Sequence, residues 1–484
     1  MRYDVAVIGA GVVGATISYQ LSQFDLRVCV LDRHAEPSEE TSAANSGIVH
    51  AGYDAEAGSL KARFNVRGNE MMEDLCRDLD VPFSRIGSLV VGFNESDREK
   101  IVQLYQHGLQ NGVPGMEILD RDTVHAMEPN LQDEVAMALY APTAGIVCPY
   151  ELTTASLEVA CCNGVDYIRE FDVADICPDG EGYTICAEGR ELIQTRLVVN
   201  AAGLYSDRIA AMMGDTSFQI RPRKGQYILF EKVLGKYVHH VIFQTPKKQT
   251  KDVLVSPTVD GNLFIGPDAE FTDDREDVST SEERLAYIVE HGEQAVRLVD
   301  LRLAITNFAG LRAGSDRGDF IVDHPVPGLY NAAGIDSPGL SSSPAIAEHL
   351  VSLILRDEDE LPRKAYWQKK RKPVQRFAHM STDERAAAIA VDPAFGRIVC
   401  RCETVSEAEV REAIRRPAGA RTLDGVKRRA RCGSGRCQGG FCSPRVMEIL
   451  AEELQCGMEQ INKFDSGSYV LLGKTRRAGK ENRC

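Results

Sequence analysis

One short segment constrains this chain more than any other. YDVAVIGAGVVGATISYQLSQFDLRVCVLDRH reads as strand, glycine turn, helix and strand. The first strand is almost continuously apolar, as expected of a strand buried on both faces in a parallel sheet. It runs straight into Gly9-x-Gly11-x-x-Gly14. The first glycine permits the tight turn, and the second lets backbone approach a pyrophosphate. The third allows close helix–sheet packing, with the helix N-terminus facing the phosphates. Asp32 ends the second strand, about 20 residues on, where a carboxylate accepts from ribose hydroxyls. Strand, turn, helix and acid in this order predict a dinucleotide site in a Rossmann-type α/β domain.

The fingerprint serves NAD and FAD alike, so the choice rests on the next stretch of chain. TSAANSGIVHAG, residues 41–52, places Ser42, Ala43, Ala44, Asn45, Ser46 and Gly47 in succession. Such small residues let backbone approach a bulky tricyclic ring and its ribityl chain, which favours FAD. His50 comes directly after and is expected beside the flavin. Imidazole titrates near neutrality, which suits it to take a hydroxyl proton.

At 484 residues the chain exceeds one ordinary core, so two or three domains are expected. A formal net charge of -15 argues against general nucleic-acid binding, which needs a basic face. No run approaches the ~20 apolar residues of a membrane span, and the apolar N-terminal stretch lacks a signal-peptide pattern. The expectation is a cytoplasmic protein whose membrane contact, if any, is made through partners.

Two further buried-strand signals, RLVVNAAG and LYNAAGIDSPG, come much later. Between them KGQYILFEK and DVLVSPTVDGNLFIGP alternate as antiparallel strands do. The pattern predicts an FAD domain in pieces (about 1–80, 146–220 and 310–355), interleaved with a mixed α+β substrate domain (about 81–145 and 221–309). LPRKAYWQKKRKPVQRF is strongly basic and holds the single Trp. It reads as part of an exposed linker, 356–395, wrapping the flavin domain. A compact, α-rich, Cys-rich module is expected at 396–455 and a surface tail at 456–484.

Of fourteen cysteines, Cys400, Cys402, Cys432, Cys437 and Cys442 crowd that module. The rest are scattered, as small buried hydrophobes of a cytosolic protein are. Thiolates at this density hold a [2Fe–2S] cluster or zinc. C-x-C is unusual for zinc, and Gly433, Gly435, Gly439 and Gly440 let backbone N–H groups approach cluster sulfides. The cluster is favoured, with zinc the competitor and the choice of four ligands among five open.

NSGIVHAGYDAEAGSLKARFNVRGN resembles the D-amino-acid oxidase-like flavoprotein superfamily. More closely, it resembles the branch of glycerol-3-phosphate oxidases and dehydrogenases and L-2-hydroxyglutarate dehydrogenases. The likeness continues through VVNAAGLYSD, RPRKGQY, GLRAGSDRGDF and GIDSPGLSSSPAIAEHL, covering residues 1–355. The last of these is similar to the glycerol-3-phosphate type. CRCETVSEAEVREAI and RCGSGRCQGGFC resemble the bacterioferritin-associated-ferredoxin-like [2Fe–2S] domain. That second likeness implies Cys400, Cys402, Cys437 and Cys442 as ligands and Cys432 as a bystander.

The resemblance also implies roles in the flavoenzyme. Arg312 matches the arginine that binds the substrate anion, and its planar fork suits carboxylate or phosphate. Lys251, among Lys247 and Lys248, resembles a phosphate-contacting lysine. Ser337, Arg223 and Lys224 are expected to border the same cavity. Cofactor contacts are expected from Gly9, Gly11, Gly14, Asp32, Ser42, Asn45 and Ser46. The likeness adds Arg33, Val173, Ala201, Gly203, Gly334, Gly339 and Leu340.

Together these imply oxidation of sn-glycerol 3-phosphate to dihydroxyacetone phosphate. Electrons would leave through the cluster to a redox partner protein, another flavoprotein or iron–sulfur subunit. The rivals are L-2-hydroxyglutarate dehydrogenation, hydroxyproline-type amine dehydrogenation, and a non-catalytic electron-transfer subunit. An intact His50, Arg312 and Lys251 argue against the last, since a relay has no use for substrate cations.

Overall fold

The computed structural model describes residues 1–246, 253–297, 300–357 and 361–473. The chain divides into two compact units. The first is Met1–Arg33 with Pro37–Pro373, and the second is His34–Glu36 with the chain from Val374 onward.

The first unit begins with β1 (Arg2–Ile8), α1 (Val12–Leu21) and β2 (Val28–Leu31), followed later by α2 (Leu60–Asp78). Its other governing elements are β3 (Ile193–Asn200), β4 (Ile220–Phe230), β5 (Ala304–Ser315), β6 (Leu329–Ala333) and α3 (Gly339–Asp357). Strands β2, β1, β3 and β6 lie side by side in parallel. Their buried faces (Val5, Val7, Val30, Val198 and Leu329 among them) explain the near-continuous apolar runs. An antiparallel hairpin, Val173–Asp179 with Gly182–Ala187, extends the sheet through the first half of β3.

A nine-stranded sheet forms the other half of this unit, with β4 paired to β5 along its whole length. β4 alternates strictly. Arg221, Arg223, Gly225 and Tyr227 share one face, and Lys224 and Gln226 the other. Across it, Gly314, Arg312, Gly310 and Phe308 are their partners on β5. This shared face is what the sheet offers the site.

Residues 361–373 wrap this unit as a largely exposed strap with two anchors, Trp367 and Arg371. The Trp367 ring lies 5.5 Å from that of Tyr19, and its indole N–H donates to Ser22 Oγ at 3.0 Å. Arg371 is buried and pairs with Glu158 at 2.8 Å and Glu151 at 3.5 Å. The basic composition that marked 356–395 as solvated thus includes a counter-ion for two buried acids. The rest of that stretch, from Val374, belongs to the second unit and carries the helix Thr382–Val391.

The second unit packs helices Glu407–Arg415, Leu423–Ala430 and Ser443–Leu454 around Val410, Ile414, Val426, Ile449 and Leu450. Ser406 and Glu409 close a capping box at the first of these. The C-terminal extension is no loose tail as far as it is described. Ile461 is buried in this core, and Lys463 Nζ reaches Asp424 at 2.5 Å. Among the described residues, no helix is long and apolar enough to cross a membrane.

Candidate active site and thiolate cage

The glycine turn is built as its sequence requires. Gly9 has φ +107°, and a Cβ there would stand 2.4 Å from the Ala201 carbonyl oxygen. A Cβ on Gly14 would stand 1.9 Å from the Gly9 oxygen, so neither position admits a side chain. Asp32 Oδ2 accepts the Ala10 N–H at 2.6 Å, and Ser42 Oγ accepts the Val12 N–H at 2.9 Å. The loop after β2 is thereby tied to the first turn of α1. Asn45 holds the same loop by donating to the Thr41 and Ser42 carbonyls, both at 3.1 Å.

Beside this turn lies a cavity of about 240 Å³. Gly11, Ser42, Asn45, Ser46, Ala201, Gly203, Ser337, Gly339 and Leu340 line it, with His50 and Arg312. Its backbone-rich wall fits a ring system that needs close approach. Gly310 is one device for this, since a Cβ there would meet the Ala44 carbonyl at 1.9 Å. An adjoining outer cavity of about 520 Å³ shares His50, Asp336 and Ser337 with the first. Arg223, Arg221 and Lys61 line the outer one.

His50 is positioned through its backbone. Its N–H donates to Ser341 Oγ at 2.8 Å. Its carbonyl accepts from Asn65 Nδ2 at 3.0 Å and Asn69 Nδ2 at 2.9 Å. The ring, 5.7 Å from that of Phe243, stands where the two cavities meet.

Arg223 and Arg312 are register partners on β4 and β5, so their side chains share a face directly across the strand pair. Burial and the facing Arg312 both push the Arg223 guanidinium below its usual range. Like charges so placed are destabilising unless an anion lies between them. Arg312 makes long contacts, 3.4 and 3.5 Å, to the Asp268 carbonyl and also engages the buried Tyr227 hydroxyl. The Asp268 carboxylate is already held by Arg284 at 2.5 Å. Gly225 leaves the space, for a Cβ there would come within 2.7 Å of Arg312 Nη2.

Some expected residues fall elsewhere. Lys224 points to the opposite face and pairs with Asp277 at 2.7 Å, because neighbouring strand residues alternate. Arg33, Val173 and Gly334 line neither cavity. Arg33 pairs with Glu40 at 2.7 Å and lies over the Tyr205 ring. Val173 packs on the hydrophobic core, and Gly334 turns the chain at φ +64° after β6. Lys251 lies outside the described residues. Sequence reasoning missed Arg221, although its spacing of two from Arg223 was a usable signal. Lys61 and Asp336 carried no such local signal.

In the second unit, Cys402 Sγ and Cys437 Sγ are 3.9 Å apart. Two thiolates on one tetrahedral metal stand about 3.8 Å apart when each metal–sulfur bond is about 2.3 Å. Cys400 and Cys442 are buried side by side in the core, with Cys432 against both. Backbone N–H groups of Phe441, Gly439 and Gly440 turn toward Cys437 and lower its thiol pKa. The Cys432 and Cys442 thiols, with the Gly433 and Glu403 N–H groups, do the same for Cys400. Among the described residues, no three His, Cys, Asp or Glu side chains converge on a single ion. The five thiols thus gather as an exposed-side pair, Cys402 with Cys437, and a buried trio, Cys400, Cys432 and Cys442.

Comparison with known proteins agrees with both halves. The FAD dependent oxidoreductase (DAO) family model matches residues 4–353, and the BFD-like [2Fe-2S] binding domain matches 398–452. A glycerol 3-phosphate dehydrogenase of Caloramator mitchellensis is 46% identical over 476 residues, covering 98% of this chain and 99% of that protein. The dithionite-reduced L-alpha-glycerophosphate oxidase of Mycoplasma pneumoniae, solved with FAD bound, superposes with a TM-score of 0.73 at 28% identity. That match covers 77% of this chain and 98% of the oxidase. A mitochondrial L-2-hydroxyglutarate dehydrogenase of Arabidopsis thaliana is 28% identical, covering 73% of this chain and 84% of its own. The chain therefore belongs to the FAD-dependent oxidoreductase family, as an enzyme that carries a [2Fe–2S] cluster as well as a flavin.

Proposed function

We propose that this enzyme oxidises sn-glycerol 3-phosphate at C2 to dihydroxyacetone phosphate and passes the electrons through its cluster to a partner protein. The observation that carries this reading is the register pairing of Arg223 with Arg312 beside His50. Arg312 lines the inner cavity and its register partner Arg223 the adjoining one that shares His50, so the two guanidinium groups are suited to one compact dianion held from both sides. The 46% identical glycerol 3-phosphate dehydrogenase supports phosphate as that dianion.

In this reading Arg312 and Arg223 clamp the phosphate, with Lys251 as a further cation and Ser337 at the cavity wall. The clamp sets the glycerol C2 hydroxyl toward His50, whose imidazole takes the hydroxyl proton as the C2–H bond breaks. Gly9, Gly11, Gly14, Asp32, Ser42, Asn45 and Ser46 form the dinucleotide cradle, and Ala201, Gly203, Gly339 and Leu340 complete its walls. Bound there, FAD supplies the two-electron acceptor. Cys400, Cys402, Cys437 and Cys442 would hold the cluster, which would accept the two electrons from the reduced flavin one at a time.

The test is an anaerobic titration of the holoenzyme. Glycerol 3-phosphate is expected to bleach the flavin absorption band near stoichiometrically. Bleaching by 2-hydroxyglutarate or hydroxyproline in its place would overturn the substrate. Bleaching by none of them, with reduction by a reduced partner protein, would leave an electron relay. Cys437→Ser is expected to remove the cluster's paramagnetic signal after reduction while substrate still bleaches the flavin. Loss of both would mean that the two cofactors do not act as separate stations.

A further inference from the structure

We propose that the ion pair between Lys61 and Asp336 determines how tightly the site holds its substrate dianion, by keeping Arg223 available to it. The idea rests on the proposed anion clamp and names two positioning residues that act through it. Asp336 lines both cavities and lies next to Ser337 in the loop between β6 and α3. One of its carboxylate oxygens is 2.7 Å from Lys61 Nζ. The other is 3.9 Å from Arg223 Nη2, beyond hydrogen-bond distance.

One carboxylate thus has two claimants, and Lys61 has the closer hold. Its position is fixed by α2, whose first turn is anchored from outside. The Asp319 carboxylate accepts the Leu60 N–H at 2.8 Å and the Lys61 N–H at 3.0 Å. Asp336 is equally confined, with its side chain only 12% exposed. Gly314 lies against it, where an added Cβ would come to 3.4 Å from Oδ2. Both acids acting on Arg223, Asp336 first and Asp54 second, stabilise its charged form.

Removing Lys61 leaves a half-buried carboxylate uncompensated, and the nearest remaining cation is Arg223. Asp336 then closes on Arg223 and withdraws it from the substrate. Removing the Asp336 charge has the opposite effect. Lys61 becomes an additional cation at the cavity wall, and Arg223 loses its competing partner. Removing both restores the original balance without either charge. The pair therefore adjusts the net positive charge that a dianion meets, without touching the reacting carbon.

The experiment compares holoenzyme variants Lys61→Met, Asp336→Asn, the double variant and Lys61→Arg. The readouts are steady-state kinetics with glycerol 3-phosphate and calorimetric binding of inorganic phosphate. Lys61→Met is expected to raise both KM and the phosphate dissociation constant about tenfold, with kcat falling far less. Asp336→Asn is expected to tighten phosphate binding severalfold. The double variant should recover most of the Lys61→Met loss, and Lys61→Arg should bind close to wild type. Unchanged phosphate binding in Lys61→Met, or additive losses in the double variant, would overturn the proposal. Should Lys61→Met fail to fold, weaker phosphate binding in Asp336→Asn would do so alone. Wild-type enzyme that neither binds phosphate nor is bleached by glycerol 3-phosphate would instead sink the clamp itself.

Discussion

Arg312→Leu is expected to lower kcat/KM for glycerol 3-phosphate by about a thousandfold, close to the loss on truncating one partner of a buried charge pair. The loss should fall mainly on KM, because the guanidinium holds a phosphate that stays unchanged through the reaction. Leucine, shorter than arginine, fits the space that Gly225 leaves, so folding is not the obstacle. What disappears is the donor fork opposite Arg223, leaving the dianion one facing cation where it had two. Arg312→Lys should recover part of the affinity and not the rest, since an ammonium cannot donate in a planar pair. Steady-state kinetics with phosphate binding as a control measure this. A loss below tenfold would remove Arg312 from the clamp.

His50→Gln should act on the other kinetic constant. Loss of a general base typically costs 10²–10⁴ in rate, and kcat is expected to fall by about a thousandfold with KM little moved. The backbone holds the residue in place. Ser341, Asn65 and Asn69 bind the His50 backbone N–H and carbonyl, not its ring. Glutamine at this position keeps those contacts, so flavin content and melting temperature should be preserved. Rapid mixing of the variant with substrate under anaerobic conditions reads the bleaching step directly. If that step keeps a rate within threefold of wild type, the proton goes elsewhere.

Local steric demands were the most legible part of the chain. Gly9 could be read because the turn pattern marks it, even though the distant Ala201 carbonyl is what excludes a side chain there. Gly14 could be read because its own turn, at the Gly9 carbonyl, leaves no room for a Cβ. The small-residue loop around Ser42 and Asn45 was readable for the same reason. Contacts made across long sequence separations were not. Lys61 and Asp336 meet only because α2 and the loop after β6 converge at one cavity. Charge also misled where burial reversed its meaning. Arg371 looks like a solvated residue in a basic run, yet it neutralises Glu151 and Glu158 inside the first unit. Lys224 looks interchangeable with Arg223 until the strand's alternation sends it to the other face.

The sheet order has a bearing on how the protein comes to exist in the cell. The parallel strands β2, β1, β3 and β6 come from residues 28–31, 2–8, 193–200 and 329–333. On the ribosome, the glycine turn and β2 are made almost first, but the second neighbour of β1, β3, comes much later and β6 last. Pairing over such separations closes long loops, which slows folding and leaves apolar strands exposed meanwhile. Apolar strands of the nascent first unit therefore stay unpaired over much of its synthesis, and its parallel sheet is completed as a late event. The second unit draws nearly all of its core from one contiguous stretch after Val374. Its synthesis begins only after the last strand of the flavin sheet has been made, so the order of translation matches the order in which electrons are proposed to travel.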